Sequence, residues 1–292
     1  MSTGIEFRLS GTARQLFAGS AKAFLGEFGI NSLPEPGRDS LHQLYRAFTH
    51  LPYENVSKII RSRGIGEPST VKPSFRSPAE VLEGYLSSRL GGTCFSLTHC
   101  LYTLLRHCGF DCWRALGDMS HGPNIHCAVI VRLGGGKFLC DAGYLLPEPL
   151  ELPVSGHKSL AGRVYRYTVE AEAGEPLSYS LYTESPAGGD KRWRYRIREH
   201  AVDGPVFEYH WERSFSAAMN HQLVLSRSTG EAHIYVHKHS VRHTTGLGRH
   251  NENIRNRLGA SVQEMFGIDA ELVERARELS ERAKEKPAGG RR

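Results

Sequence analysis

The sequence contains no apolar run near the roughly 18 residues that a membrane-spanning helix needs, so no membrane partner is expected. The opening segment, MSTGIEFRLSG, lacks the basic-then-apolar layout of a secretory signal, and the default expectation is a cytoplasmic setting. No Cys-x-x-Cys pair occurs among the six cysteines, which leaves a structural zinc knuckle without support. Repeats of solenoid period are missing too. The lysines and arginines do not gather into one block, and there is no helix-turn-helix, zinc-finger or RNA-binding signature. Nucleic acid is therefore not an expected partner.

What remains is an ordinary globular composition. The chain has 292 residues, 39% hydrophobic and 23% charged, enough for two or three sub-domains that share cores. Its formal charge of +6 has two explanations. One is a solvated basic surface with a Lys/Arg-rich tail. The other is a positive field that attracts an anionic ligand, such as a phosphate-bearing cosubstrate. All six cysteines, Cys94, Cys100, Cys108, Cys112, Cys127 and Cys140, fall in one stretch. A reducing compartment keeps them as thiols, and five of them read as small buried hydrophobes. Cys94 differs, because it follows Gly91-Gly92-Thr93 where a helical pattern begins.

Residues 10 to about 110 read as helical. Leu41, Leu44, Tyr45 and Phe48 recur at helical spacing after Asp39-Ser40. Ser77-Pro78-Ala79-Glu80 is a capping box with proline at the first helical position. A third helix runs from Cys94 through Leu97, Leu101, Leu104 and Leu105 to Gly109. From Cys112 the period changes to that of strands: Cys112–Met119, Ile125–Leu133, Phe138–Tyr144, Arg163–Glu172, Leu177–Thr183, Arg192–Arg198 and Val206–Trp211. Consecutive strands on short turns predict an antiparallel barrel or sandwich. Residues 221–240 offer two more strands, Leu258–Ala283 reads as a closing helix pair around Phe266-Gly267-Ile268, and Lys284–Arg292 reads as disordered.

A nucleophilic thiol needs a lowered pKa, and a helix N-terminus supplies part of that lowering. Taken alone, Cys94 fits a buried structural cysteine as well. His126 adds weight: within Ile125-His126-Cys127-Ala128-Val129, an imidazole must find a partner or bear a desolvation cost. Asp141, between Cys140 and Ala142-Gly143, likewise calls for a cation or an N–H. A two-residue turn at Gly134-Gly135 sets Asp141 opposite Ala128, and His126 and Asp141 then share a face as diagonal neighbours. A three-residue turn puts them on opposite faces. With the first register, Asp141 fixes the tautomer of His126, and the other ring nitrogen takes the thiol proton of Cys94. The histidines at 233, 237, 239 and 243 suit either a solvated strand face or zinc.

Five motifs in order resemble the arylamine N-acetyltransferase family: Leu51-Pro52-Tyr53-Glu54-Asn55-Val56, Gly91-Gly92-Thr93-Cys94-Phe95, Asn124-Ile125-His126, Asp141-Ala142-Gly143-Tyr144 and Phe266-Gly267-Ile268. The likeness spans roughly residues 20 to 280. It departs at Arg89, one residue off the family's arginine, at Ser96 and Thr98 after the aromatic, at Leu145, and in a longer segment Ser62–Phe75. The implied fold is α+β with a papain/transglutaminase-like catalytic core. A helical part (1–110) bears the cysteine, an antiparallel β-barrel (111–220) bears the histidine and aspartate, and residues 221–292 form an α/β lid with a disordered tail.

The activity implied by the resemblance is acyl transfer through a thioester on Cys94, assisted by His126 and Asp141. Acetyl-CoA is the cosubstrate, an arylamine or hydrazine is the acceptor, and no cofactor or metal is bound. Tyr53, Phe95 and Tyr144 are the implied substrate contacts, with the Phe95 N–H as an oxyanion donor. Three alternatives stay open. Some relatives join a carrier-bound acyl chain to an amine, which would bring in a carrier protein. A transglutaminase-like enzyme or cysteine peptidase shares the Cys, His, Asp order, but Cys127 and Ala142 stand where those proteins often place Trp and Pro. In a non-catalytic binding module Cys94 would be structural. The oligomeric state is not encoded in any of these motifs.

Overall fold

Helical periodicity builds the first hundred residues. In the computed structural model, which describes residues 11–63, 75–144, 146–174, 176–185, 190–216 and 222–285, five helices occupy this part. They are α1 (Gly11–Glu27), α2 (Arg38–Phe48), α3 (Val56–Arg63), α4 (Pro78–Ser88) and α5 (Cys94–His107), with a short strand β1 (Tyr53–Glu54) between α2 and α3. The capping box works as the sequence implies: Glu80 N donates to Ser77 Oγ, and Ser77 N donates to Glu80 Oε2 at 2.7 Å. Such a cap contributes about 1 kcal/mol and fixes where α4 starts. Along α5 the stripe Leu97, Leu101, Leu104, Leu105 is fully buried, and the chain turns away at Gly109 with φ +83°.

The chain then winds into eight antiparallel strands: β2 (Asp111–Met119), β3 (Gly122–Leu133), β4 (Gly136–Cys140), β5 (Leu150–Glu151), β6 (His157–Ala161), β7 (Arg166–Glu172), β8 (Ser178–Glu184) and β9 (Arg192–Arg198). Their spatial order is β5-β4-β3-β2-β9-β8-β7-β6. The outermost pair, β5 and β6, approach each other, so the sheet curls into a nearly closed barrel. The β3–β4 turn decides the register. Gly134 and Gly135 take φ +58° and +78°, values that favour glycine at both positions of a two-residue hairpin. Leu133 pairs with Gly136 and Val129 with Cys140, which continues to the predicted Ala128–Asp141 juxtaposition.

A second sheet closes the molecule: β1, β10 (Val224–Ser228), β11 (His233–His237), β12 (Ser240–Thr245) and β13 (Gly248–Asn253), in that spatial order. One of its faces is apolar, and Leu225, Ile234, Val236 and Val241 pack against α7 (Leu258–Phe266) and α8 (Ala270–Glu285). The other carries the row Tyr53, Ser226, Tyr235, Arg242. Residues 53–63, early in the chain, build into this late unit. Tyr53 and Glu54 pair with β10, and Val56 and Ile59 join its core.

The fold corrects the sequence reading in four places. Val206–Trp211 is not a strand but lies in helix α6 (Gly204–Arg213). Asp203 caps it by accepting from Val206 N at 3.1 Å, Pro205 opens its first turn, and Phe207 and Trp211, four apart, bury one face. Strands β12 and β13 were not anticipated, because apart from Val241 they bury almost no apolar side chain. Strand β6 was also missed; its residues are largely exposed. Lys284 and Glu285 end α8 rather than opening a disordered tail. The rest of that tail and most of Ser62–Phe75 lie outside the described residues.

Candidate active site

Cys94 is the first residue of α5. Its N-cap, Thr93, makes no side-chain bond to the helix, so the first backbone N–H groups keep their donors beside the sulfur. The preceding glycines permit a close approach. Gly92 N donates to Pro52 O, Glu54 N donates to Gly92 O, and a Cβ on Gly91 would lie 1.9 Å from Pro52 O. This locks the loop before Cys94 against β1 and brings Tyr53 alongside Gly92.

His126 comes from β3 and Asp141 from the turn after β4. His126 Nε2 donates to Asp141 Oδ2 at 2.8 Å, and the pair is 3% and 0% exposed. Asp141 Oδ1 accepts from Tyr144 N at 2.9 Å, which fixes the carboxylate. The ring of Tyr195 packs 4.4 Å from that of His126. On the other side, the Cys94 thiol donates to Ile125 O at 3.8 Å. A Cβ on Gly143 would lie 2.9 Å from Cys94 Cβ, so the Asp141–Tyr144 turn is in contact with the cysteine. With Nε2 committed to Asp141, Nδ1 is the nitrogen left for the thiol.

Electrostatics at this junction favour a separated proton. The Cys94 pKa falls well below that of a free thiol: a hydrogen bond from the Cys127 thiol contributes most, burial opposes it, and His126 and Lys58 lower it further. Burial alone would lower His126, but Asp141 and the Cys94 sulfur outweigh it and raise its pKa to about 10. Lys58 is pushed down to about 8 by burial, against the pull of Cys94 and Cys127; its Nζ donates to Ser214 O at 2.9 Å and lies over Phe215. Cys127, Cys100 and Cys112 are buried with raised pKa values, chiefly from desolvation.

The three expected substrate contacts divide. Tyr144 is partly buried, edge-on to His126 at 6.3 Å between ring centroids. Tyr53 is partly buried, and its hydroxyl pKa is raised by burial and then by Cys94. The Phe95 ring is wholly buried, 5.3 Å from Phe207, and offers no surface to a solute.

Sequence reasoning missed Lys58, Cys127 as a donor, and Arg76. The Arg76 guanidinium donates to Gly91 O at 2.6 Å, Ser57 Oγ at 3.1 Å and Glu80 O at 2.9 Å, and lies 3.8 Å from buried Glu54. It braces the glycine loop, whereas Arg89 caps α4 with φ +55° and pairs with Glu27. Only Cys127, adjacent to His126, carried a local signal. Among the described residues no group of three or more His, Cys, Asp and Glu side chains could hold a metal ion. No helix of the described residues is long and apolar enough to cross a membrane.

A family model described as N-acetyltransferase matches residues 39–273. Comparison with curated proteins gives no significant match. Among solved structures, the arylamine N-acetyltransferase from Mycobacterium abscessus superposes with a TM-score of 0.74 at 19% identity, covering 94% of this chain and 99% of that one. The enzyme from Salmonella typhimurium gives 0.72 at 17% identity, covering 89% and 98%. A Bacillus cereus arylamine N-acetyltransferase, reported with a unique Cys-His-Glu catalytic triad, gives 0.68 at 18% identity, covering 86% and 98%. At these identities the likeness shows the fold.

Proposed function

Since the chain belongs to the N-acetyltransferase family and has the fold of the arylamine N-acetyltransferases, we propose that it transfers an acetyl group from acetyl-CoA to an arylamine or hydrazine through a thioester on Cys94. The observation that carries this assignment is the buried His126–Asp141 bond, 2.8 Å long, beside a thiol at a helix N-terminus with a strongly lowered pKa.

Asp141 holds the ring of His126 and stabilises the imidazolium, and the Cys94 thiolate attacks the thioester carbonyl. Negative charge gathers on the carbonyl oxygen, where the uncapped N–H groups of α5, that of Phe95 foremost, would receive it. The CoA sulfur leaves and takes the proton from His126. An amine then attacks the acyl-enzyme, His126 accepts its proton, and Cys94 departs as thiolate. One thioester replaces another in the first half, so the protein chiefly supplies position. Tyr53 and Tyr144 would line the entry for the reactants, and residues 221–292 would help exclude the water that otherwise hydrolyses the acyl-enzyme. The division of labour is a helical part (1–110) with the nucleophile, a barrel (111–220) with the base, and a lid. Both reactants are small molecules, no resident cofactor or metal is required, and six unpaired cysteines suit a reducing cytoplasm.

The test is turnover of acetyl-CoA with an arylamine. Cys94→Ala should abolish it with the fold retained, while Cys127→Ala should reduce it without abolishing it. The reverse result would move the nucleophile to Cys127.

A further inference from the structure

Strand β9 contains a bulge. Leu181 opposes Tyr195 and Tyr182 opposes Trp193, so Arg194 is the extra residue. A bulge re-aims a side chain out of strict alternation. Here the half-buried Arg194 brings its guanidinium 5.8 Å from the ring centroid of Tyr144, the tyrosine that stands between it and His126. The Nε donates to Thr183 Oγ1 at 2.7 Å. Its neighbours Arg196 and Arg198 are ion-paired with Glu172 and Asp118, but Arg194 has no carboxylate partner among the described residues.

Across the cleft, β12 contributes an unsatisfied group. The Thr244 hydroxyl is buried, the residue 5% exposed, and finds no hydrogen-bond partner among the described residues. Buried polar atoms are nearly always satisfied, so an orphan on a cavity-lining residue leaves a hydrogen-bonding group for a bound solute. The cavity is there: about 250 Å³, lined by Tyr165, Thr183, Arg192, Arg194, Thr244 and Arg249. Glu184 and Asp190 also reach it, but three guanidiniums outnumber two carboxylates. It lies between the barrel and the second sheet, with Tyr165 5.8 Å from His233, which in turn is bonded to Ser226 in the same row as Tyr53.

We propose that this cavity is an anion subsite of the acyl-transfer centre, in which Arg194 and Thr244 hold a carboxylate or phosphate of a reactant whose reacting end lies at Cys94. The subsite deepens the acyltransferase assignment and rests on it. Arg194 and His126 flank the same ring, that of Tyr144, at 5.8 and 6.3 Å, so a reactant anion held at Arg194 lies next to the acyl-transfer centre. Charge-assisted bonds to a planar guanidinium are the stronger kind, and a hydroxyl completes the set.

The test compares wild type with Arg194→Gln and Thr244→Val in each half-reaction. Acylation is measured with acetyl-CoA and with uncharged phenyl acetate, and deacylation with 4-aminobenzoate and with aniline. Calorimetry of CoA and of 4-aminobenzoate binding gives a readout independent of turnover. Arg194→Gln should weaken the charged reactant of one half-reaction about tenfold more than its uncharged counterpart, as a rise in KM. Arg194→Lys should restore part of the loss. A deficit confined to 4-aminobenzoate identifies an acceptor carboxylate, and one confined to acetyl-CoA identifies a donor phosphate. Equal losses for charged and uncharged reactants, or unchanged binding of both CoA and 4-aminobenzoate, overturn the subsite. Phenyl acetate still acylating Cys94 in that case would leave the acyltransferase assignment standing.

Discussion

His126 keeps its proton because Asp141 and the Cys94 sulfur flank it where little water reaches. Its pKa is raised to about 10 and that of Cys94 is lowered, so the ion pair persists between the two values and collapses to the thiol as pH falls through the lower one. Alkylation by iodoacetamide should therefore level off well below the free-thiol pKa of about 8.5. His126→Gln should carry the profile back towards that value, and Cys127→Ala should carry it part of the way. A profile indifferent to both changes removes the ion pair from the mechanism. Asp141→Asn, which leaves the ring poorly oriented, should cut turnover roughly a thousandfold or more. His126 and Asp141 were legible in the sequence because each is a polar group inside an apolar run and so demands a partner. Lys58, Arg76 and Arg194 were not: each acquires its surroundings only when distant segments close over it, and no local pattern marks it.

At the scale of elements, one turn and one glycine align the site. The Gly134-Gly135 hairpin was readable, and its length decides whether His126 and Asp141 share a face. Gly135→Val, forced to φ +78°, should cost about 2 kcal/mol of stability by urea titration. Gly143 matters for contact rather than for φ. Gly143→Ala pushes a methyl group into Cys94 and should lower kcat about a hundredfold while Tm changes little. A variant with full kcat would show that the Asp141–Tyr144 turn tolerates displacement. Helix α6 is hard to read from sequence because four-residue spacing of Phe207 and Trp211 also fits partial alternation, and an Asp-Gly-Pro start also suits a turn between strands. Strands β12 and β13 escaped because they hold their places through backbone pairing with almost no buried side chains.

Across the whole molecule, the cleft is bounded by the barrel on one side and the polar face of the second sheet on the other, with a net charge of +6 over all. Such a field should steer an anionic donor. Because attraction is screened beyond about 8 Å at physiological ionic strength, the second-order rate of acylation by acetyl-CoA should fall as salt rises. A neutral thioester without the nucleotide should respond much less; equal responses would exclude steering. An amide synthase fed by a carrier protein behaves otherwise, with acetyl-CoA slow at every salt concentration and only a carrier-bound acyl chain fast. The order of helices, then antiparallel strands, then a closing helix pair was legible from hydrophobic period, and the barrel and α/β lid came from the resemblance. The crossing of residues 53–63 into the last unit was not legible, because strand exchange between units leaves no periodic trace. The most direct measurement is the mass of the intact protein after brief exposure to acetyl-CoA without an amine. The account predicts a gain of one acetyl group, mapped to Cys94, lost on addition of an arylamine and never formed by Cys94→Ser as a thioester. An unmodified wild-type protein, after acetyl-CoA and every other acyl-CoA ester tried, would contradict it.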